Sequence, residues 1–451
     1  MKIRCHGGGV VRKSEQRLSK DMDFMISEEF QDLCRNYNPR ILIRKRKMPL
    51  HDLLLSMITR KATSLTLELR NYMKISHPGT KISKPGYLKQ RMKLNPEAFK
   101  YLFKYHNKNF YADSDQSVKT FRGYILLGVD GTTLNIPTTS ETLEVYGDFR
   151  RKNVKPYAMM GLGCIYDSLN NLIIEADIQS GKFNENALAQ EQAFRIKDTI
   201  GNRPFMLVMD RGYPSLPLFM RFIDGNIPFV ARLSSYSLKK EQESMKSNDE
   251  DFIIKLTSAR IDKHVGTPNE EIMRSRADFP IRIVRVKLNE DTYEYLATNL
   301  SRTDFPEEDF KEIYHLRWKI ETTFGTLKNR LQIENFTGTK PVLLEQDVYS
   351  TIYICNLAED IIRDIESEQE EHLKNDYKHP MAINRAISIG ILKNDLIYIF
   401  LQQDQQRRSE LMQQLYEDLR HNLVPIRPDR QYDRTKGTFV GKYHNTYKKV
   451  F

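Results

Sequence analysis

Two short apolar runs, each closed by an aspartate with a glycine close behind, set the strongest limit on how this chain can fold. Tyr124 to Val129 leads into Asp130 and Gly131, and Phe205 to Met209 leads into Asp210 and, two residues on, Gly212. Runs of five or six largely apolar residues have a strand's length and leave no face for water, the pattern of strands buried on both sides in a parallel sheet. In open α/β sheets ligands gather at the carboxyl ends of the strands, so a carboxylate placed there faces a site. Either aspartate alone is most simply a turn or helix-cap residue. Two of them in the same setting call for a third partner.

Residues 314–328 read YHLRWKIETTFGTLK. At about 100° per residue, Tyr314, Arg317, Glu321 and Lys328 fall within about 60° of arc, and Ile313, Leu316, Ile320, Phe324 and Leu327 form an apolar strip beside them. The spacing predicts one helix that buries one side and presents a carboxylate flanked by cations. By themselves Arg317 and Glu321 would be a surface i,i+4 pair worth roughly a few tenths of a kcal/mol. Joined to the two aspartates, Glu321 completes three oxygen ligands suited to hard divalent cations, with room left for water and substrate phosphates.

The D-G-T at Asp130, the D-R-G-Y at Asp210 and the spacing Y-x2-R-x3-E-x6-K at Tyr314, Arg317, Glu321 and Lys328 together resemble the IS-four family of bacterial insertion-sequence DDE transposases. The likeness covers about residues 120–345, and LQIENFTG at 331–338 also looks like family sequence. It implies that Asp130, Asp210 and Glu321 are catalytic metal ligands and that Tyr314, Arg317 and Lys328 bind the transposon end. It also implies a protein dimer assembled on paired ends. Some members cut both strands through a DNA hairpin and stack an aromatic residue, carried on the strand before the acidic helix, on an extruded base. Tyr295 in YEYLATNL holds a comparable place, where core or surface packing is the simpler role. Trp318, the only tryptophan, lies about 40° from Tyr314 and reads either as a packing residue or as a ring beside a flipped base.

Charge points to a polyanionic partner independently of the motif. The chain carries a net +11, but residues 1–120 hold 25 Lys/Arg against 11 Asp/Glu, a balance of +14, which leaves −3 for residues 121–451. The excess includes the cluster Arg44, Lys45, Arg46 and Lys47 and a second basic stretch from Lys81 to Lys93, the footprint expected of phosphate-backbone binding. Cys5, Cys34, Cys164 and Cys355 are far apart and form no C-x-x-C pair, so reduced thiols in a cytosolic setting are expected. No signal peptide and no apolar run near the ~20 residues needed to span a bilayer is present, so no membrane partner is expected.

The fold class expected is α/β: an RNase H-like catalytic core with a β-rich insertion, a helical N-terminal DNA-binding domain and a helical C-terminal region. Residues 1–112 read as a basic helical domain, with helix-like spacing from Met48 onward, and 111–120 as a polar linker. The core's first part, 121–233, gives three strands, helix, strand, helix and strand, with the turn DSLNN between an antiparallel pair. Residues 234–301 hold the strands FIIKLTS, IRIVRVKL and YEYLATNL, a β-rich insertion by the family resemblance. The second part, 302–360, carries the acidic helix and a further helix packing under the sheet. Residues 361–451 give an acidic solvated connection at 366–372, a helical segment near 381–422 and a basic tail whose Tyr432, Phe439, Tyr443, Tyr447 and Phe451 interleave with cations.

Phosphodiester cleavage and strand transfer need an activated oxygen nucleophile, a stabilised leaving oxygen and in-line geometry, which two divalent ions about 3.5 to 4 Å apart supply. Asp130 is expected to bridge them from a central strand, Asp210 and Glu321 to complete one shell each, and Mg2+ to be the metal, with Mn2+ able to substitute. The activity expected is that of a bacterial, nucleoid-associated cytoplasmic transposase that binds terminal inverted repeats, cleaves the ends and joins the freed 3′ hydroxyls to target DNA. An RNase H-like nuclease without strand transfer is the enzymatic rival. A domesticated DNA-binding protein with an idle centre is the other, disfavoured because all three carboxylates and the whole four-point spacing are present.

Overall fold

The computed structural model describes residues 12–43, 47–113, 118–150, 155–289, 292–375 and 377–426. Its described residues form a mixed α/β protein of two compact units, one drawn from 1–110, 135–145 and 325–451, the other from 111–134 and 146–324.

The second unit is built on one nine-stranded sheet. Its strands are β1 Ile125–Asn135, β2 Asp148–Phe149, β3 Tyr157–Asp167, β4 Leu172–Ser180, β5 Phe205–Met209, β6 Phe229–Arg232, β7 Asp249–Lys255, β8 Asp278–Asn289 and β9 Thr292–Thr298. They run in the order β2-β3-β1-β5-β6-β9-β8-β7, with β4 also paired to β3. β1, β5 and β6 are parallel neighbours. All five residues of β5 are buried, as its unbroken apolar run requires. The turn between β3 and β4 is the DSLNN segment: Asp167 accepts from the N–H groups of Leu169 and Asn170, both at 2.9 Å, and Asn171 takes the left-handed φ of 59° that asparagine tolerates. Between β4 and β5 the Glu185–Arg195 helix starts at Asn184, whose side chain accepts from Ala187 N, and between β5 and β6 the Leu216–Asp224 helix is capped the same way by Ser215. The element order expected from the sequence is interrupted between β1 and β3 by a helix at Ser140–Tyr146 and the two-residue β2, which the sequence reading did not give.

The strands of 234–301 do not stand apart. β9 pairs antiparallel with β6 through Val230↔Thr298, Ala231↔Ala297 and Arg232↔Leu296, and β8 and β7 follow outward, so these strands extend the main sheet. Leu126, Val208, Val230, Val284 and Leu296 share one core with Phe310 and Ile313 of the acidic-helix region. That core fixes the helix against the parallel strands.

The first unit is helical around the 28-residue helix Pro341–Glu368, which packs on helices Lys13–Ile26, Leu50–Ile58, Arg385–Leu401 and Gln405–Arg420. Within its own unit the helix buries its apolar residues against these other helices. Buried ion pairs join early and late segments of the chain: Arg91 donates to Asp347 at 2.9 Å, and Arg17 Nε donates to Asp360 at 2.7 Å. Helices within 13–110 and 341–420 thus share a core. The helical stretch read from Met48 is two helices, Leu50–Ile58 and Leu65–Ser76, because the loop between them turns on Ala62 at φ 60° and on Glu68, which accepts from the N–H groups of Lys61 and Thr63. The acidic stretch expected to be solvated continues the helix to Glu368, and Glu366 pairs with Arg385. A small sheet unseen in the sequence, Met381–Ile383 with Leu423–Pro425, brackets the last two helices. Among the described residues no helix is long and apolar enough to cross a membrane. Among the described residues, Cys34, Cys164 and Cys355 are buried and in no disulfide.

Candidate active site

Pairing of β1 with β5 runs from Ile125↔Phe205 to Val129↔Met209. Asp130 and Asp210 are therefore the next residue on each of two adjacent parallel strands, which lie about 4.8 Å apart. β1 itself continues to Asn135, so Asp130 sits within a strand and not at its end as the sequence suggested. The eleven-residue β3 flanks β1 on its other side, while β5 has only five residues. What the two aspartates share is the end of their pairing. Asp130 accepts from Gly131 N at 2.9 Å and Asp210 from Gly212 N at 2.6 Å. Burial raises the pKa of Asp130 to about 6; the N–H of Gly131 and the Arg317 cation oppose the rise, and the charges of Asp210 and Glu185 add to it.

The acidic helix is two helices, Asp309–Leu316 and Trp318–Asn329, meeting at Arg317. Arg317 keeps helical dihedrals (φ −55°, ψ −35°), but its N–H reaches only three residues back, to Tyr314 O at 3.2 Å, and its own carbonyl accepts from Ile320 N at 3.2 Å. This 3-10 tightening interrupts the continuous helix expected over 314–328 without dispersing the stripe. Arg317 Nη2 donates to Glu321 at 2.8 Å, and Nη1 stands 4.0 Å from Asp130 Oδ2. Arg317 is 3% exposed, and its Nε and Nη1 have no hydrogen-bond partner among the described residues. Tyr314 is buried, with the guanidinium carbons of Arg317 and Arg232 5.6 and 5.9 Å from its ring centre. Lys328 lies seven residues beyond Glu321 on the second helix, half-buried; burial lowers its pKa and Glu334 opposes that.

A family model for the transposase DDE domain matches residues 122–357, which takes in both aspartates and the whole helix signature. The chain is an IS-four-type DDE transposase. It is 23% identical over 441 residues to the transposase InsG for insertion sequence element IS4 of Escherichia coli K12, covering 94% of this chain and 93% of InsG. A segment of 134 residues is 27% identical to the transposase for IS231B of Bacillus thuringiensis subsp. berliner, covering 29% of this chain and 26% of that one. Among solved structures, a piggyBac transposase synaptic complex with hairpin DNA aligns over 92% of this chain and 87% of its own at 10% identity, with a TM-score of 0.42.

DDE transposases use divalent metal ions, and the donors at this edge are all carboxylate oxygens, which hard divalent cations prefer. Among the described residues no three acidic, imidazole or thiol groups stand close enough to hold an ion in this arrangement. Two charged residues near this sheet edge escaped the sequence reading. Glu185, the first residue of the helix capped by Asn184, lies beside Gly131, where an added Cβ would stand 2.9 Å from its Oε1; its sequence context signals only a helix start. Arg232 ends β6 at the same sheet edge and pairs with Glu294 at 2.9 Å. A cation closing an apolar strand was the available signal for it.

The two ring residues separate. Trp318 is 38% exposed and borders a cavity of about 560 Å3 with Tyr314, Glu294 and Val286. Glu294 lies opposite Val286 across β9 and β8, so Tyr295, opposite Arg285, falls on the other face of the sheet and does not join Trp318. Of the basic cluster, Arg44, Lys45 and Arg46 lie outside the described residues, as does the tail 427–451. Lys47 borders a cavity of about 1110 Å3 together with Arg40, Lys81 and Lys93, and donates to the Lys81 carbonyl at 3.3 Å. Lys47 of the first basic stretch thus meets Lys81 and Lys93 of the second on one surface.

Proposed function

We propose that this transposase binds the terminal inverted repeats of its element through the basic 1–112 segment, cleaves the ends at Asp130, Asp210 and Glu321, and joins the 3′ hydroxyls to target DNA in cut-and-paste transposition. The protein works as a dimer on paired ends in the bacterial cytoplasm, at the nucleoid. The sequence of β1, the β3–β4 hairpin, helix, β5, helix and β6 supports an RNase H-like core. The observation that carries the reading is Arg317: a buried guanidinium with two unpartnered N–H groups, set between Asp130 and Glu321. An unsatisfied buried donor costs about 1–3 kcal/mol. A phosphate oxygen at this edge removes that cost.

Asp130, Asp210 and Glu321 would hold Mg2+, as two ions with Mn2+ able to replace them, and the metal would supply charge stabilisation and a nucleophile at neutral pH. The chain's own part is placement. Arg317 donates to the phosphate being cut, Lys328 and Tyr314 hold its neighbours, and the Gly131 N–H fixes the Asp130 carboxylate. Arg317→Ala is expected to lower end cleavage about 10- to 100-fold, the worth of one or two charged hydrogen bonds, with Mn2+ binding unchanged. A cleavage rate within twofold of wild type on a pre-nicked terminal-repeat duplex would remove Arg317 from the phosphate site. Recovery of joined product with a supercoiled target separates a transposase from a nuclease that only cuts.

Trp318 supports a narrower step. Its exposed ring beside the cavity is placed for stacking on an extruded base during hairpin formation, worth about 1 to 3 kcal/mol. Trp318→Ala is expected to slow the hairpin step by about one to two orders of magnitude and spare first-strand nicking, while Tyr295→Ala, on the opposite sheet face, leaves both steps unchanged. Denaturing gels resolve nicked from hairpin product. Normal hairpins in Trp318→Ala would return that ring to packing, and a hairpin defect in Tyr295→Ala would mean the sheet face was misassigned.

A further inference from the structure

We propose that β7, a free edge of the large sheet, is a contact between two copies of this chain, in which the strand pairs with itself antiparallel about Ile253. β7 ends the strand order and pairs on one side only, with β8. Leu256 N donates to Ala277 O and Arg285 N to Asn248 O, so the even-numbered residues of this strand are the ones bonded to β8. In an antiparallel ladder the alternate residues turn their N–H and C=O groups the other way, which aims those of Asp249, Asp251, Ile253 and Lys255 out of the sheet. The ends of this row are tied down locally: Ser247 Oγ donates to Asp249 O at 3.1 Å, and Arg260 Nη1 to Lys255 O at 2.9 Å. Between them, among the described residues, the outward backbone groups of Asp251 and Ile253 have no hydrogen-bond partner.

Charges commonly guard an open edge against association, and Asp251 and Lys255 are exposed charges on this one. Their signs and spacing make the guard selective. Asp251, Ile253 and Lys255 share the face opposite the buried Ile254 and Leu256, and Ile253 is 62% exposed. Laid antiparallel with Ile253 opposite Ile253, a second β7 brings its Lys255 to each Asp251, once on either side of the two-fold axis. A slide of two residues in either direction sets Ile253 against a charge, and a slide of one sets the outward groups against residues already bonded to β8. Arg302 Nη1 lies 3.0 Å from Asp251 Oδ2, an exposed pair of small worth that leaves the other carboxylate oxygen open to a cation. A foreign strand would have to carry the order anion, apolar residue, cation in reverse; this chain supplies it. One short strand pair buries less than the about 1,200 Å2 of a stable interface, so the contact is reversible. It goes beyond the transposase reading and does not depend on it, since neither DNA nor a metal ion takes part.

The test uses the full-length protein without DNA. Sedimentation velocity over a range of concentrations is expected to show a reversible monomer–dimer equilibrium. Asp251→Lys puts cations opposite one another and Lys255→Asp puts anions there, at two cross-strand pairs per dimer, so each should weaken association by about tenfold or more. Mixed in equal amounts, the two variants meet with unlike charges again, and the dimer should return to about its wild-type level. Ile253→Cys under mild oxidation should give a disulfide-linked dimer, because the Cα atoms of an opposed hydrogen-bonded pair lie about 5.5 Å apart, within reach of a disulfide. Lys263→Cys, exposed in the short 3-10 turn after the strand, should not cross-link. The cysteine variant also decides the matter if a charge variant does not fold. A protein that stays monomeric and forms no Ile253→Cys cross-link overturns the proposal. So does a dimer that neither charge reversal weakens, or one that the mixture does not restore. Each of those results leaves assembly on paired DNA ends to another surface and the transposase reading as it stands.

Discussion

Asp130→Asn, Asp210→Asn and Glu321→Gln are each expected to lower cleavage and joining at the transposon ends by about 10³-fold or more, while binding of terminal-repeat DNA stays near wild type. The replacements keep side-chain shape and remove one ligand charge, so the loss falls on metal-dependent stabilisation of the reaction, which is worth several kcal/mol at about 1.4 kcal/mol per tenfold. End recognition, which the proposed function assigns to the basic N-terminal segment, should be spared. Purified variants are compared for nicking a labelled terminal-repeat duplex in Mg2+ and for shifting the same duplex on a gel. Nicking by Asp210→Asn at near the wild-type rate would sink the assignment of these carboxylates.

The same substitution should have an opposite effect on stability. The folded pKa of Asp130 is raised to about 6 from an ordinary value near 4, chiefly by burial. The folded state thus holds this proton more tightly than the unfolded one, and the stability it confers is full below about pH 4 and lost as pH rises through about 6. At pH 7.5 the ionised Asp130 is a standing cost in the metal-free protein. Asp130→Asn without metal is therefore expected to be more stable than wild type at pH 7.5, by about 2 kcal/mol, and close to it at pH 4. Saturating Mg2+ should stabilise wild type and leave the variant unmoved. Thermal unfolding at both pH values, with and without Mg2+, reads both effects; a less stable variant at pH 7.5 without metal would mean that Asp130 is not under this strain.

The parts of the site that were legible in the sequence are those in which a local pattern and a chemical demand coincide. An apolar run that must be buried on both faces fixed β5 and the paired half of β1, and with them the adjacency of Asp130 and Asp210. The helical period fixed the buried strip of Ile313, Ile320, Phe324 and Leu327 and the proximity of Arg317 to Glu321. Three features depended on non-local pairing and left no such trace. The continuation of β1 past Asp130 follows from the length of its neighbour β3, the placement of β7, β8 and β9 in the main sheet follows from β9 docking on β6, and Tyr295 was assigned by distance along the chain where strand alternation decides the face. The approach of Glu185 to Gly131 was illegible for a related reason: it depends on the absence of a side chain at 131, and a glycine after an aspartate reads first as a turn.

Charge reversal or neutralisation at the basic cavity should have the second-largest effect, and on binding instead of chemistry. Lys47, Lys81 and Lys93 are exposed and border one cavity with Arg40, although Lys47 comes from one basic stretch and the other two from the next. Each duplex phosphate neutralised contributes about −0.9 to the slope of log affinity against log salt, so three contacts account for about −2.7. The triple variant Lys47→Ala, Lys81→Ala and Lys93→Ala is expected to lose that much slope. Extrapolated from about 1 M to about 0.15 M salt, the same term amounts to about 10²-fold in affinity. Nicking of a duplex already cut near the end should persist at high protein concentration, since the carboxylates are untouched. Deleting the N-terminal segment would not be an equivalent test, because Arg91 and Arg17 donate to Asp347 and Asp360 from within it and their removal would leave those carboxylates buried without partners. Surface lysines can be replaced without opening that core. Terminal-repeat affinity measured from 0.05 to 0.3 M salt separates the outcomes: an unchanged slope with an unchanged midpoint would move recognition to another face, and an unchanged slope with weaker binding would mean that the lysines shape the cavity without touching phosphate.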